Sequence, residues 1–233
     1  MDWLTLSPEE WDAIRLSLRV ATVGTLFSVP VGLFIAYALA RWRFPGKFLV
    51  DGIVHLPLVL PPVVTGYILL LLFGRRGPIG AFLYEHFGFV FAFRWTGAAL
   101  AAAVMGFPLL VRAVRLSFEA ADRRLEDAAR TLGANSLTVF FTVVLPLALP
   151  GILAGFLLAF AKALGEFGAT ITFVSNIPGE TRTLPTAIYT YTQVPGGDGP
   201  AAQLAAVALI LSLIAPPLSG FLARPVCARS RGR

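Results

Sequence analysis

Five apolar stretches, at residues 20–40, 49–73, 96–111, 147–161 and 204–223, limit what this chain can fold into. A helix needs about 20 mainly apolar residues to cross the ~30 Å hydrocarbon core of a bilayer. Each stretch is near that length, and Arg or Trp at the ends of the two shorter ones can extend them by reaching to the interface. A soluble helical protein would carry charges along one face of every helix, and these stretches do not. Only 14% of the residues are charged and the mean hydropathy is +0.77, whereas soluble domains carry roughly 25% charged residues. The expected architecture is an all-α integral membrane protein with five core transmembrane helices, with room for a sixth short or interfacial one. Residues 1–233 read as a single membrane domain with no internal repeat and no second soluble unit.

Lys and Arg gather in alternate loops, and cytoplasmic loops hold the excess of these residues. Arg41, Arg43 and Lys47 follow the first stretch, Arg112, Arg115, Arg123, Arg124 and Arg130 the third, and Arg224, Arg229, Arg231 and Arg233 the last. The other side holds mainly Arg15, Arg75, Arg76, Arg94 and Arg182. This bias predicts an N-terminus outside and a C-terminus in the cytoplasm. Much of the net charge of +6 is then topology. A nucleic-acid partner would need one basic soluble face, and the basic residues are spread over three loops.

The acidic start, residues 1–12, lacks a basic segment before its apolar run, so it reads as retained and not as a cleaved signal. Residues 1–15 are expected to form an amphipathic lead-in on the outer surface, with Ser7, Pro8, Glu9 and Glu10 marking a helix start. Cys227 stands alone, without a disulfide partner or CxxC metal spacing.

The loop at 116–145 is the most polar part of the chain. Glu119, Asp122, Arg123, Arg124, Glu126, Asp127 and Arg130 suggest a helix broken at 133–136, and a second short helix is expected at 137–144, ending before Pro146. Asp127, Ala128 and Ala129 join a charge to small side chains, a set that lets a helix sit closely in a partner's groove. A solvated loop helix would carry the same charge pattern.

Three further constellations stand out. Residues 55–66 contain Pro57, Pro61, Pro62, Thr65 and Gly66. Proline removes a backbone donor and kinks or breaks a helix, and broken backbone at membrane depth survives only against protein or a watery cavity. The span is therefore a bent pathway-lining helix or carries a packing kink. Lys162 and Glu166 are spaced to pair on one helix face, beside Gly165, Gly168 and Thr170. Charges at a span edge mark a pathway or partner contact by default, with an interfacial ion pair as the plainer alternative. The outer loop at 175–186 offers Ser175, Asn176 and Arg182 to an anion or a docking protein, or simply to solvent. Short helices are expected near 79–87 and within 183–193, and Asp51 with His55 reads as a structural pair.

Asp127-Ala128-Ala129, three residues, Gly133, nine residues, then Val143-Val144-Leu145-Pro146 resembles the docking motif of ABC-importer permease subunits, with Asp127 in place of the usual Glu. Residues 55–67, 74–80 and 165–190 closely resemble molybdate ABC-transporter permeases. Sulfate permeases share the plan but match less well across 170–190. The resemblance implies a type I ABC importer permease fold in the bacterial inner membrane, with a cytoplasmic coupling-helix loop. Glu126, Asp127, Ala128, Ala129, Gly133, Leu145 and Pro146 would couple to an ATPase. Pro61, Pro62, Thr65, Gly66, Glu166, Gly168, Thr170, Ser175 and Asn176 would form the pathway or gate. The implied partners are a second copy of the chain, two cytoplasmic ATPase subunits and a periplasmic oxyanion-binding protein, with lipid around them.

The implied cargo is molybdate, with tungstate beside it, and sulfate or thiosulfate is the alternative. The chain has no GxxxxGK[ST] phosphate loop, since Phe48 follows Gly46-Lys47 where a hydroxyl would be needed. ATP and Mg²⁺ therefore belong on the partner, and no cofactor is expected here. An enzyme would need a nucleophile, a metal cluster or an acid–base pair at depth, and a secondary carrier would need inverted repeats with midplane ionisable residues. Neither pattern is present in the sequence, and no catalytic or metal-binding residue is expected.

Overall fold

The computed structural model describes residues 6–213. Cys227, the basic residues from Arg224 onward, and the inner end of the fifth apolar stretch lie outside the described residues.

Helix α1 runs over Pro8–Arg41. Ser7 caps it by accepting from the Glu10 backbone N–H, and the Glu10 carboxylate accepts from Ser7 in return, a reciprocal capping box. The helix then continues without a break for 34 residues. Residues 8–15 are thus not a separate lead-in but the first turns of the first span. They belong to it because Ala13 and Ile14 are buried with Leu184, Ala187 and Leu204 from the C-terminal third of the chain.

The scaffold is made by α1, α5 (Trp95–Ala120) and α8 (Leu145–Leu164). Small residues allow close approach where no hydrophobic force drives helices together in lipid. Ala98, Ala99, Ala101 and Ala102 of α5 are all buried. A Cβ added at Gly24 of α1 would lie 2.5 Å from the Ala99 carbonyl oxygen. At the other end Leu39, Val114, Phe118, Val139 and Val144 form a second buried cluster.

The proline-rich second stretch divides into α2 (Lys47–Val59) and α3 (Pro62–Phe73), which are bent by 116°. Leu60 and Pro61 adopt extended ψ values of 143° and 134°, and consecutive prolines remove two donors at that point. Helix α4 (Pro78–Phe87) matches the short helix expected near 79–87.

The loop after α5 contains α6 (Arg123–Thr131) and α7 (Ser136–Val139). One expectation fails here. The second short helix does not end before Pro146: it passes through a π-helical turn, Phe140–Val144, into α8, giving a continuous 29-residue helix over Ser136–Leu164. Pro146 lacks an N–H, and its ring conflicts with a carbonyl one turn earlier in a regular helix. The wider π turn, with Leu145 N–H donating to the Phe140 carbonyl, shifts the register just ahead of it.

After α8 come α9 (Gly168–Val174), α10 (Leu184–Thr192) and α11 (Asp198–Leu213). Among the described residues three helices are long and apolar enough to cross a membrane, and the bent α2–α3 pair is a fourth candidate. Helix α11 begins the fifth apolar stretch.

Candidate coupling lever and gate

Two places gather most of the residues singled out in the sequence. The first is the lever at 122–139. Asp122 caps α6 by accepting from the Arg124 N–H at 2.9 Å, and Asn135 caps α7 by accepting from the Thr138 N–H at 2.8 Å. Gly133 turns the chain between them with φ +88° and nothing within 4 Å of an added Cβ. Asp127 and Ala128 are exposed, beside exposed Leu125, Leu132 and Leu137. Ala129 is turned inward, packing on the Phe118–Val139 cluster.

Glu126 departs from the expected solvent-facing pattern. It is buried, and its carboxylate lies 2.6 Å from Arg41 at the end of α1, with Arg130 at 3.8 Å. A cleft of about 630 Å³ beside this pair is lined by Tyr37, Arg41, Glu126, Asp127 and Arg130 among others. Sequence reasoning used Arg41 only for orientation, and no local spacing links it to Glu126. Leu145 and Pro146 are not on the lever itself but at the root of α8, after the π turn.

The second place is the crossing of α3 and α9. A Cβ on Gly66 would stand 2.5 Å from the Ala169 carbonyl oxygen, and one on Gly168 2.8 Å from Pro62 Cβ. Pro62, Gly66 and Gly168 therefore share one backbone-to-backbone contact, with Pro61 at the adjoining break. Thr65 and Thr170 are buried, and Thr65 Oγ1 has no hydrogen-bond partner among the described residues. In this conformation neither hydroxyl faces an open passage.

Glu166 sits at the end of this crossing, 3% exposed. One carboxylate oxygen accepts from the Ala169 N–H at 3.0 Å, in the first turn of α9, and the other accepts from Lys162 Nζ at 2.8 Å. The helix N-terminus and the cation both favour the negative charge. Glu166 thus joins α8 to α9. Glu166→Ala is expected to lower permease stability by about 2 kcal/mol, the upper range for a lost helix cap, seen as a lower unfolding midpoint in detergent. Glu166→Gln should retain more of it, because an amide oxygen still accepts from Ala169.

Ser175 and Asn176 are not assembled with that crossing through any side-chain bond. Ser175 holds φ +65°, a region that non-glycine residues occupy only under constraint. Asn176 donates to Thr190 at 2.7 Å and accepts from Arg182, which also pairs with Glu9 at 3.3 Å. Of the three residues expected to face an anion, a docking protein or solvent, Asn176 and Arg182 are engaged within the protein and Ser175 is exposed. His55 Nδ1 lies 2.8 Å from the Asp51 backbone carbonyl oxygen and 3.5 Å from its carboxylate, and that carboxylate makes its shorter side-chain contact, 2.9 Å, with Arg115 of α5, which also holds Glu119 at 2.7 Å. This group fastens α2 to the scaffold.

Residues 28–226 match the family described as binding-protein-dependent transport system inner membrane component. The chain is 59% identical to the molybdenum transport system permease protein ModB of Escherichia coli K12, covering 95% of this chain and 96% of that one. It is 57% identical to the Haemophilus influenzae protein of the same name, over 92% and 94%. Identity to the sulfate transport system permease protein CysT of Salmonella typhimurium is 38%, over 89% and 74%. Among solved structures, an inward-facing form of the MetNI methionine ABC transporter aligns with TM-score 0.67 at 17% identity, covering 96% of both chains. A bacterial ABC transporter importing alginate aligns with TM-score 0.73 at 16% identity, over 94% and 80%.

Proposed function

The chain belongs to the family of binding-protein-dependent transport system inner membrane components, and on that premise we propose that it is the permease subunit of a molybdate importer. The observation that carries the cargo is the 59% identity, over 95% of the chain, to a molybdenum transport permease. The sulfate permease stands at 38%, so sulfate or thiosulfate is the lesser reading. The subunit is a translocation component and not an enzyme. Tungstate, a tetrahedral dianion of similar size, is expected to share the route.

The permease works as a homodimer with two ATPase subunits, which bind ATP and Mg²⁺, and a periplasmic binding protein that delivers the oxyanion. The family's dependence on a binding protein supports this, as does the fold shared with ABC transporters. The N-terminus is outside and the C-terminus cytoplasmic, a reading supported by Arg41, Arg43 and Lys47 standing on the same side as the Arg-rich lever.

Closure of the ATPases moves the lever, presented through Asp127, Ala128 and the exposed leucines, and the route alternates between inward-open and outward-open. The contact of Pro62 and Gly66 with Gly168 and Ala169 is the element that must slide or part, and Pro61 supplies the adjoining bend. Thr65 and Thr170 are buried and Asn176 is engaged by Thr190 and Arg182, so these three would meet the anion only after such a rearrangement, whereas Ser175 is already exposed. Glu166 would hold α8 and α9 together as they move.

Uptake of labelled molybdate and sulfate into vesicles containing the permease, its ATPase and its binding protein tests the cargo. Molybdate should accumulate with ATP and sulfate should not compete at equal concentration. Preferential sulfate uptake would reverse the assignment.

A further inference from the structure

We propose that Arg41 is a positioning residue that ties the coupling lever to the first span, so that motion of α6 is delivered to α1 directly. The inference rests on the permease reading and extends it to a residue outside the docking loop.

Arg41 and Glu126 have side-chain exposures of 7% and 8%, and their charged groups are 2.6 Å apart. Arg41 Nη2 also donates to the Ala121 carbonyl at 3.3 Å, at the point where α5 ends and the lever begins. One guanidinium thereby holds both the entrance of the lever and its first turn. Tyr37 lies one turn earlier on α1 and meets Phe118 of α5 at 5.5 Å and Phe140, beyond α7, at 5.1 Å, both edge-on. Ala129 and Ala134 pack in the same cluster. The joint has an aromatic seat and a charged tie, both built from the last turns of α1.

Three physical points favour a working connection over incidental pairing. Helix α6 has nine residues, too few to hold its shape unaided in water, so its orientation depends on what it touches. A buried charge cannot be left without its partner at small cost, so Arg41 and Glu126 stay together when either helix moves. The contact is first of all one of charge, with Arg41 Nη2 and Glu126 Oε1 2.6 Å apart in a buried setting. Attraction between two charges depends on their separation and not on a donor–acceptor angle, so α6 can tilt about this point without releasing α1.

The test uses the complete complex in nanodiscs with Arg41→Gln, Glu126→Gln, Arg41→Lys and the exchanged pair Arg41→Glu/Glu126→Arg. Two quantities are read: hydrogen exchange of residues 123–131, and molybdate moved per ATP hydrolysed at equal ATPase content. Both neutral variants should exchange at least about tenfold faster in α6 and move at most about a tenth of the molybdate per ATP, well within what a broken buried pair can cause. Arg41→Lys and the exchanged pair should recover a substantial part of both. A purely structural role would lower the amount of complex and leave the ratio intact. Unchanged exchange, or faster exchange with an unchanged ratio, overturns the proposal. If the wild-type complex moved no molybdate while the exchange response persisted, the cargo assignment would fall and the tie would stand.

Discussion

Gly66→Leu is expected to reduce molybdate uptake by about ten- to a hundredfold. The reason is the contact it would enter. A Cβ at Gly66 lies 2.5 Å from the Ala169 carbonyl oxygen and 2.8 Å from Ala169 Cα, so the obstacle is backbone and not the flexible end of a side chain. Overpacking of a close contact costs about 1–3 kcal/mol, and every 1.4 kcal/mol is about tenfold in an equilibrium. Helices α3 and α9 would have to separate, moving the short helix that Glu166 caps. Gly52→Ala is the control, because nothing lies within 4 Å of an added Cβ there. Uptake into vesicles, normalised to permease content, reads the effect. Wild-type uptake by Gly66→Leu would show that the α3–α9 crossing takes no part in transport.

Gly133→Val is expected to weaken ATPase attachment about tenfold while leaving permease abundance near normal. Open space surrounds this position, so the effect is conformational and not steric crowding by neighbours. With φ +88°, an L-residue pays about 1–2 kcal/mol in the left-handed region, and a β-branched one is a still rarer occupant. Relief of that strain reorients α6 against α7 and displaces the exposed Leu132 and Leu137. Gly133→Asn should fall close to wild type, since Asn tolerates this conformation. Co-purification of tagged permease with its ATPase measures the difference. Equal retention of ATPase by the Val and Asn variants would argue that the bend has no role in docking.

Much of the helical layout was legible because it depends on local chemistry. The capping box at Ser7 and Glu10, the short helix after Pro78, the break at Pro61-Pro62 and the turn at Gly133 each follow from residues adjacent in sequence. The bend of 116° was not legible. Two prolines interrupt a helix, but the angle is set by what α3 packs against, namely α9 more than a hundred residues later.

The lever shows the same division. Its polar helix and small-residue patch could be read from 122–133, but Glu126 looked like its exposed neighbours until Arg41, 85 positions away, was found beside it. The outer loop misled in the opposite direction. Asn176 and Arg182 look available in sequence, yet Thr190 and Glu9 occupy them. The π turn before Pro146 was also hidden, because helix continuation there depends on Val139 and Val144 being buried against α5.

By itself the sequence determined that this chain lives in a bilayer, where several of its helices begin and where one span breaks, and which importer family it resembles. Those are consequences of hydropathy, backbone donors and short-range spacing. Only the tertiary structure decided which charges are buried together, which glycines bring two backbones into contact, and which polar side chains are already engaged. Each of these depends on residues far apart in the chain meeting at a few ångströms, where desolvation and steric contact act and sequence distance does not.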